Sequence, residues 1–588
     1  MKQDSVCVIK NNKYEYPTIG ELFRPSVCYP EYLYRQDVAQ QENHVYGMVR
    51  DGLHMCGFDA AHYGTADWNP LGELIKPGER VLIKPNLVLH ENLGGYGEEC
   101  LYTHPSVVAA IIDYVIIALK GSGKIVVGDA PLQECVFDTL LDTSGYRKLI
   151  DYYVDKGIDI KIVDFRNTKT YIKDGIHYRQ TEEYADHGTI VQMDKISLFA
   201  DKKKKELKKL RITNYDPRIL QQHHNTHKHE YNISSEVLMA DVIINMPKPK
   251  THRKAGITGA LKNLVGINAN KEYLPHHTLG SSKEGGDAYQ NRSFWLNIAN
   301  YLLDQRNIHN HDGGNRTAKK YADAYQKVYQ KGSRVSGEKY WEGSWYGNDT
   351  IWRTIVDLNR IMLYADKNGT MTDKIQRKSF IVGDMIISGE KEGPLEPSPK
   401  EAGVLLFGMN PICVDKVIAS LMGFDYADIP SISNKEIYKG KCAFTEYKHI
   451  DIVSNEGMWD RKEPEDIRRN AGLMFEPTIG WEDKLGNPKK QSLCERIKNK
   501  GCHVAVFGAG KRGISVADYL QSKGVKVDVF CDNDTSKQGK NIWNKVYCIA
   551  PEKLDPSYIC IITIPGKYND AVIEQLKQIG VREYCLFN

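Results

Sequence analysis

Short apolar runs alternate with longer stretches of helical periodicity between residues 80 and 165. The runs cover 80–84, 124–129 and 158–165, and the helical stretches cover 106–119 and 137–156. Runs of strand length that alternate with helices are typical of parallel sheets, because each parallel connection must cross over the sheet. We therefore predict an α/β protein with a mainly parallel-sheet core, and this alternation restricts its fold more than any other feature.

The densest group of functional side chains follows another apolar run, 242–244. Pro247 and Pro249 alternate with Lys248 and Lys250 directly after it, which stiffens the backbone that carries these lysines. The group continues with His252, Arg253, Lys254, Lys262, Asn263, Lys271, His276 and His277. Ligands of open α/β sheets bind beyond the carboxyl ends of strands, so we predict an anion site there. A solvated basic loop is the alternative interpretation.

Charged residues also stand at the ends of other predicted strands. Lys84 and Asp129 end two of the runs, and Asp384 lies in a further run at 379–387. We predict that one edge of the sheet brings together a catalytic set of Lys84, Lys248, Lys250, His252, Lys262, Asp129 and Asp384. The predicted metal ligands are Asp384, Glu390, Glu392 and Asp415. Exposed turn acids and an acid that stabilises a helix N-terminus are the alternative interpretations of the last three.

Two kinds of chemistry fit lysines and carboxylates at one sheet edge. A divalent ion, Mg²⁺ or Mn²⁺ in view of the oxygen ligands, could bridge the acids to an anionic substrate. Alternatively, lysines of lowered pKa could act as bases or nucleophiles beside a clamped anion. His252, His276 and His277 leave zinc, iron or nickel open, and a histidine cluster at 223–229 is interpreted as a polar loop rather than a metal site.

The last 90 or so residues carry a different pattern. The apolar run 503–507 leads into Gly508, Gly510 and Gly513 in the spacing G-x-G-x-x-G, followed by a predicted helix. A second apolar run ends at Asp532, about 20 residues further on, where an acid would contact a ribose. Glycines in this context let backbone N–H groups approach a diphosphate at the helix N-terminus. We predict a small Rossmann-like domain that binds a nucleotide or nucleotide-sugar, with a structural appendage as the alternative.

Composition limits the class of protein. The chain has 588 residues, of which 41% are hydrophobic and 26% charged. Its net charge of +4 is small for this length and does not indicate a nucleic-acid-binding protein. Its 13 cysteines are dispersed, which is typical of reduced thiols in a cytoplasm, and we expect neither a signal peptide nor a membrane span. The expected domains are an N-terminal segment 1–74 that packs on the core, a core 75–454 with insertions near 166–238 and 280–350, a linker 455–500 and a C-terminal domain 501–588.

Six ordered motifs carry a resemblance to a known family. They are LIKPNLV at 82–88, THPSVV at 103–108, VVGDAP at 126–131, PKPKTH with TGALKNLVG at 247–266, IVGDMIISGEKEGP at 381–394 and MNPICVDKVIASLMGFD at 409–425. This set resembles the Domain of Unknown Function 362 family, which implies little about activity. Some members carry ferredoxin-type clusters, but no cysteines of this chain form a C-x-x-C pair, so we expect no iron–sulfur cluster. The segment around Asp532 resembles small nucleotide-sugar-binding domains of polysaccharide-biosynthesis proteins.

Two functions from different classes follow. The first is a metal-assisted enzyme that acts on a phosphorylated or carboxylated small molecule, in polysaccharide or nucleotide-sugar metabolism. The second is a non-catalytic ligand-binding or scaffold protein of envelope polysaccharide assembly. Convergence of the lysines and acids in one place favours the first, and dispersal over separate surfaces favours the second.

Overall fold

A computed structural model describes residues 1–173, 176–181, 188–564 and 568–586. The chain forms two compact units, Met1–Leu485 and Gly486–Asn588. Parts of the insertion expected near 166–238, namely residues 174–175 and 182–187, lie outside the described residues. Among the described residues, every helix is too short or too polar to cross a bilayer.

The first unit is built on a ten-stranded sheet with small accessory strand pairs. Its strands are β1 Ser5–Lys10, β2 Arg80–Pro85, β3 Lys124–Asp129, β4 Ile160–Asp164, β5 Thr168–Lys173, β6 Ile176–Thr181, β7 Thr189–Gln192, β8 Leu210–Arg211, β9 Glu230–Ile233, β10 Val242–Met246, β11 Lys250–His252, β12 Gly256–Thr258, β13 His277–Thr278, β14 Lys378–Glu392, β15 Glu396–Gly408 and β16 Asp451–Ser454. The main order is β16-β1-β15-β14-β10-β2-β3-β4, with β11 paired to β14 and β12.

Most neighbouring strands of this order run parallel. Only the pairs β1–β15 and β14–β15 are antiparallel along the described order, and β14, β10, β2, β3 and β4 all run in one direction. The prediction of an α/β fold with a mainly parallel-sheet core is therefore confirmed. Side chains alternate between the two faces along each strand: Leu82 packs in one hydrophobic cluster, and Val81 and Ile83 pack in the other.

Helices cover both faces. They are α1 His44–Met55, α2 Pro105–Leu119, α3 Phe137–Ser144, α4 Tyr146–Asp155, α5 Lys204–Leu207, α6 Pro217–His223, α7 Ser235–Met239, α8 Ala260–Asn263, α9 Phe294–His311, α10 Asn315–Ser336, α11 Ile351–Tyr364, α12 Pro411–Met422, α13 Pro430–Ser433, α14 Pro464–Asn470 and α15 Glu482–Leu485. The helix α2 begins with Pro105 after His104, whose side chain accepts a hydrogen bond from the Ser106 N–H and so caps the first turn.

A break in the helical stretch 137–156 corrects the sequence analysis, which expected one helix. Gly145 separates α3 from α4 with a φ of 92°. A Cβ at this position would lie 2.3 Å from Ile19, so both the backbone angle and the packing require glycine.

The two ends of the first unit meet in the sheet. The strand β1 pairs antiparallel with β15 and parallel with β16, so residues from the expected N-terminal segment form part of the sheet itself. Residues 455–485 of the expected linker also belong to the first unit. Trp459 and Trp481 are each 1% exposed and pack in its core, which is why this polar-looking stretch is held in place.

The second unit is a smaller sheet domain. It contains α16 Pro488–Lys500, β17 Val504–Phe507, α17 Lys511–Ser522, β18 Val529–Cys531, β19 Asn541–Trp543, β20 Val546–Ile549, β21 Ile559–Ile562, α18 Asn569–Gln578 and β22 Glu583–Leu586. The strand order is β19-β20-β18-β17-β21-β22. All pairs are parallel except β19–β20, so the chain order reverses on either side of β17.

Candidate functional site

The carboxyl ends of β2, β3, β10 and β14 bring the predicted residues of the first unit to one edge of the sheet. Lys84 of β2 lies beside Asn245 of β10, and Asn245 in turn lies beside Ile381 of β14. The parallel register explains this convergence, since strands that run together end together. Residues from 84 to 384 in the sequence thereby share one crevice edge.

The first ion pair of the edge joins Lys84 to Asp129. The Lys84 ammonium is 2.6 Å from Asp129 Oδ1 and also donates to Asn263 Oδ1 at 3.1 Å. Asp129 accepts two further hydrogen bonds, from the backbone N–H groups of Leu87 and Ala130 at 2.7 and 2.8 Å. A Cβ on Gly266 would lie 1.9 Å from Asp129 Oδ1, so a glycine is needed for this approach. Asp129 is therefore fully engaged within the protein.

The second ion pair joins Lys248 to Asp384. Lys248 Nζ lies 3.1 Å from Asp384 Oδ2 and donates to the Tyr16 hydroxyl at 2.6 Å. Tyr16 in turn donates to Asp384 Oδ1 at 2.6 Å, and its ring stacks on His104 with 3.9 Å between centroids. The His104 N–H donates to Asp384 Oδ2 at 2.9 Å. Both side chains of this pair are fully buried, so Asp384 also has its oxygens occupied.

The other predicted metal ligands accept backbone hydrogen bonds. Asp415 accepts from the N–H groups of Ala260 and Leu261 at 2.5 and 3.0 Å and so caps the first turn of α8. Burial raises the pKa of Asp415 to about 7, although these two hydrogen bonds oppose the rise. Glu390 accepts from the Glu476 N–H at 3.1 Å and Glu392 from the Ile479 N–H at 2.9 Å. These contacts attach β14 to the segment 476–479.

Three lysines of the same edge have no carboxylate partner among the described residues. They are Lys250, Lys262 and Lys271. Lys250 donates to Asn86 Oδ1 and to the Leu101 carbonyl, both at 2.6 Å, and Lys271 donates to the Ala130 carbonyl at 2.6 Å. The partly exposed Lys262 makes no hydrogen bond within the described part of the chain.

The protonation of these lysines is disfavoured. Burial lowers the pKa of Lys250 well below its usual value, and the neighbouring charge of Lys248 adds to the effect. Burial lowers the pKa of Lys262 to about 8, helped by the charge of Lys84. Burial also lowers the pKa of Lys271, to about 7. The mutual effects of these charges show that the lysines lie within electrostatic range of one another.

His252 and Arg253 extend this cationic region. His252 Nδ1 accepts from the backbone N–H groups of Lys254 and Ala255 at 3.1 and 3.2 Å, which places its proton on Nε2. Burial lowers the pKa of His252 well below its usual value, and the charges of Lys262 and Arg253 act in the same direction. The Arg253 guanidinium is partly exposed and forms no ion pair in the described residues.

Within the described residues, the one group of three metal-ligand side chains in close proximity is Asp216, His311 and Asp312. Arg218 already binds Asp216 and Asp312 at 2.6 Å each, which accounts for this arrangement as an ion-pair network. The four acids predicted as metal ligands do not form such a group there. In the histidine cluster, His224 Nδ1 lies 3.4 Å from His229 Nδ1, and burial lowers the pKa of both, to about 3 and about 4.

In the second unit, the glycine motif lies between β17 and α17. Gly508 has a φ of 109°, and a Cβ on Gly513 would lie 1.9 Å from the Gly508 carbonyl oxygen. A Cβ on Gly510 would meet no atom of the described residues within 4 Å, so among these residues the space beside it at the helix start is open. Asp532 accepts from the Ala509 N–H and from Lys537 Nζ, both at 2.8 Å.

Sequence reasoning missed several residues of the first site. Asn86 lies two residues after the predicted strand 80–84, and its position near a strand end was a signal that could have identified it. Tyr16 gave no local signal, because its partners Lys248 and Asp384 are more than 200 residues away in the chain. The buried acid Glu342 lies in an insertion and was also missed.

Comparison with known proteins agrees with this architecture. The family model "Domain of unknown function (DUF362)" matches residues 81–196 and 179–420, a region that includes every predicted site residue of the first unit. A thylakoid-associated protein of Synechocystis is 28% identical over 201 residues, which are 34% of this chain and 43% of that relative. The chain thus spans less than half the length of this relative. Because the family model matches more than half of the 588 residues, the chain belongs to the DUF362 family.

Proposed function

We propose that the first unit is an enzyme that binds an anionic small molecule, phosphorylated or carboxylated, at the cationic sheet edge. The observation that supports this proposal is the group Lys250, Lys262 and Lys271, which has no carboxylate partner among the described residues. Asp129 and Asp384 form ion pairs with other lysines, Lys84 and Lys248, so neither makes a direct ion pair with these three. Burial disfavours the charged form of each of the three lysines, and a bound anion would offset that cost.

The lowered pKa values indicate how such a site could do chemistry. A lowered pKa increases the neutral fraction of a lysine amine, and a neutral amine is a base or nucleophile. Lys262 is partly exposed and unbonded in the described structure, so it is the natural clamp for the anion. Lys250 is held by Asn86 and Leu101 and is the natural base.

The metal-assisted version of this function is less well supported by the geometry. To bind Mg²⁺ or Mn²⁺, Asp384 would have to give up its lysine partner, and Asp415 would have to leave the N-terminus of α8. Acid–base chemistry beside a clamped anion needs no such rearrangement. A metal requirement therefore serves as a direct test between the two versions.

Titration calorimetry with sulfate tests the anion site, because the charge of sulfate does not change near neutral pH. We expect Lys262→Met to weaken sulfate binding by about tenfold or more, as expected for loss of a charge-assisted hydrogen bond. The exposed Lys283 provides a matched control, and Lys283→Met should bind sulfate like the parent. Binding should also weaken as the pH rises through about 8, the pKa of Lys262.

Equal affinity of the two lysine variants would contradict the proposed site. Binding of sulfate or phosphate only in the presence of added Mg²⁺ or Mn²⁺ would support the metal-assisted version. A ligand that co-purifies with the protein can be identified by mass spectrometry. Tight binding of that ligand without any turnover would support the non-catalytic alternative.

We further propose that the second unit is a Rossmann-like domain that binds a nucleotide or nucleotide-sugar. The open space beside Gly510 supports this proposal, since backbone N–H groups at the start of α17 can meet a diphosphate there. The strand order reverses at β17, and ligands of open α/β sheets bind at such a reversal.

All thirteen cysteines, each within the described residues, are free thiols, which supports a location in the cytoplasm.

A further inference from the structure

The insertion that contains α9 and α10 places a buried carboxylate next to the cationic edge. Glu342 is 1% exposed, and its Oε1 accepts from the Tyr325 hydroxyl at 2.7 Å and from Trp341 Nε1 at 2.9 Å. Its other oxygen, Oε2, is buried and has no hydrogen-bond partner in the described structure. A buried carboxylate oxygen that is left unpaired costs free energy, so a missing partner is indicated.

Three cations surround Glu342 without forming an ion pair with it in the described residues. Burial lowers the pKa of Arg253, Lys254 and Arg306, and the negative charge of Glu342 opposes this effect at each of them. Lys254 donates to the backbone carbonyl of Glu342 at 2.6 Å rather than to its carboxylate. The carboxylate and the cations are thus close enough to interact through space but are not in direct contact.

The charges of Glu342 and its neighbouring cations favour one class of ligand group, the hydroxyl group. A phosphate would be repelled by Glu342, and an ammonium would be repelled by Arg253 and Lys254. Hydroxyl groups both donate and accept hydrogen bonds, so one hydroxyl can donate to Glu342 Oε2 while it or its neighbour accepts from Arg253. The ring of Trp341, which is 42% exposed, adds an apolar face of the kind that packs against a sugar ring.

Lys254 connects this place to the proposed anion site. Its backbone N–H donates to His252 Nδ1 at 3.1 Å, and its ammonium donates to the Glu342 carbonyl at 2.6 Å. Lys254 therefore contacts both His252, whose pKa responds to the charges of Lys262 and Lys250, and the backbone of Glu342. A small molecule with an anionic group at one end and hydroxyl groups at the other can occupy both.

We propose that Glu342, with Arg253 and Trp341, forms a hydroxyl-binding subsite, and that the ligand of the first unit is a sugar phosphate. This inference rests on the proposed anion site at Lys250, Lys262 and Lys271. Glu342 selects the ligand by accepting from a sugar hydroxyl, and the lysines hold its phosphate.

Calorimetry with four probes tests the subsite: inorganic phosphate, cyclohexyl phosphate, glucose 1-phosphate and glucose 6-phosphate. Cyclohexyl phosphate keeps the six-membered ring and lacks the hydroxyl groups. We expect at least one hexose phosphate to bind about tenfold or more tightly than cyclohexyl phosphate, the size of a charged hydrogen bond. Glu342→Gln should abolish that difference and leave the affinity for cyclohexyl phosphate unchanged.

The exposed Asp323 on α10 provides a control on the same insertion, and Asp323→Asn should retain the preference for the hexose phosphate. Failure of inorganic and cyclohexyl phosphate to bind the parent would overturn the anion site, and this inference with it. If inorganic and cyclohexyl phosphate bind but neither hexose phosphate binds more tightly than cyclohexyl phosphate, the subsite alone is overturned. The same holds if Glu342→Gln loses equal affinity for cyclohexyl phosphate and for the hexose phosphates.

Discussion

At the scale of one residue, Lys271 makes the stability of the protein depend on pH. Burial lowers its pKa to about 7 in the folded protein, against 10.5 for an unperturbed lysine. The unfolded chain binds the proton more tightly than the folded protein does. Protonation therefore lowers the free energy of unfolding, and this penalty is complete below about pH 7. The penalty disappears as the pH rises toward 10.5, and stability should rise over this range.

We expect the free energy of unfolding to rise more steeply with pH between 7 and 10 in the parent than in Lys271→Met. The difference in slope should reach up to about 1.4 kcal/mol per pH unit, which corresponds to one proton. Urea denaturation at several pH values measures it. The lost bond to the Ala130 carbonyl adds a change in stability that does not depend on pH, so the slope rather than the absolute value is diagnostic. Parallel curves would show that Lys271 is not perturbed.

The position of the candidate residues at one edge of the sheet could be predicted, but their partners could not. Lys248 and Lys250 stand out in the sequence because they follow an apolar run between prolines. Their different surroundings depend on distant contacts: Lys248 contacts Asp384 and Tyr16, whereas Lys250 donates to Asn86 and a backbone carbonyl. Spacing in the sequence carries no information about such pairings.

At the scale of secondary structure, Asp415 connects α12 to the short helix that carries Lys262. It accepts from the first two N–H groups of α8 in a buried place. Asp415→Ala leaves both donors unpaired, and each should cost roughly 1–3 kcal/mol of stability. Because α8 loses its cap, sulfate binding should weaken as well. Chemical denaturation and calorimetry measure the two effects.

Asp415→Asn keeps one acceptor and should fall between the parent and Asp415→Ala in stability. An Asp415→Ala protein with parental stability and reduced metal content would instead support the metal ligand that we expected from the sequence.

The glycines of the second unit allow a matched pair of variants. Gly510→Val adds a side chain to open space, so we expect the unit to fold and to lose nucleotide affinity by about tenfold or more. Gly513→Ala places a Cβ 1.9 Å from the Gly508 carbonyl oxygen, so we expect lower thermal stability of this unit. Calorimetry and thermal unfolding measure the two. If Gly510→Val binds the nucleotide as tightly as the parent, the glycine motif serves only as a structural turn.

Elements with a strong local pattern could be predicted well. The apolar residues of 351–364 recur at helical spacing and predict a helix there, which matches α11, Ile351–Tyr364. The strands β14 and β15 were only partly anticipated, since their outer halves, such as Gly389–Glu392 with Glu396–Pro399, lack an apolar pattern and are held by pairing with each other. Non-local pairing of this kind overrides local propensity.

At the scale of the whole molecule, the boundary between the two units predicts where a protease will cut. Trp459 and Trp481 hold residues 455–485 in the first unit, whereas the division falls at Gly486. We expect limited proteolysis to cleave near Gly486 and to release a folded fragment of roughly 10 kDa. Mass spectrometry locates the cut. Cleavage within 455–480 would show that this stretch is less firmly packed than its buried tryptophans indicate.

The sheet of the first unit also imposes an order on biosynthesis. The strand β1 pairs with β15, and Val6 lies opposite Gly408, so β1 must wait for about 400 further residues before its partner exists. At typical rates of translation this wait lasts roughly 20–80 s. Throughout that time the apolar run Val6–Ile9 is an unpaired strand on a growing chain. The same delay applies to Tyr16, whose partner Asp384 is made 368 residues later. The contacts of Asp384 therefore form only after about two thirds of the 588 residues have been made. Until β15 is made, β1 is an exposed strand edge of the kind that a nascent-chain chaperone would have to protect.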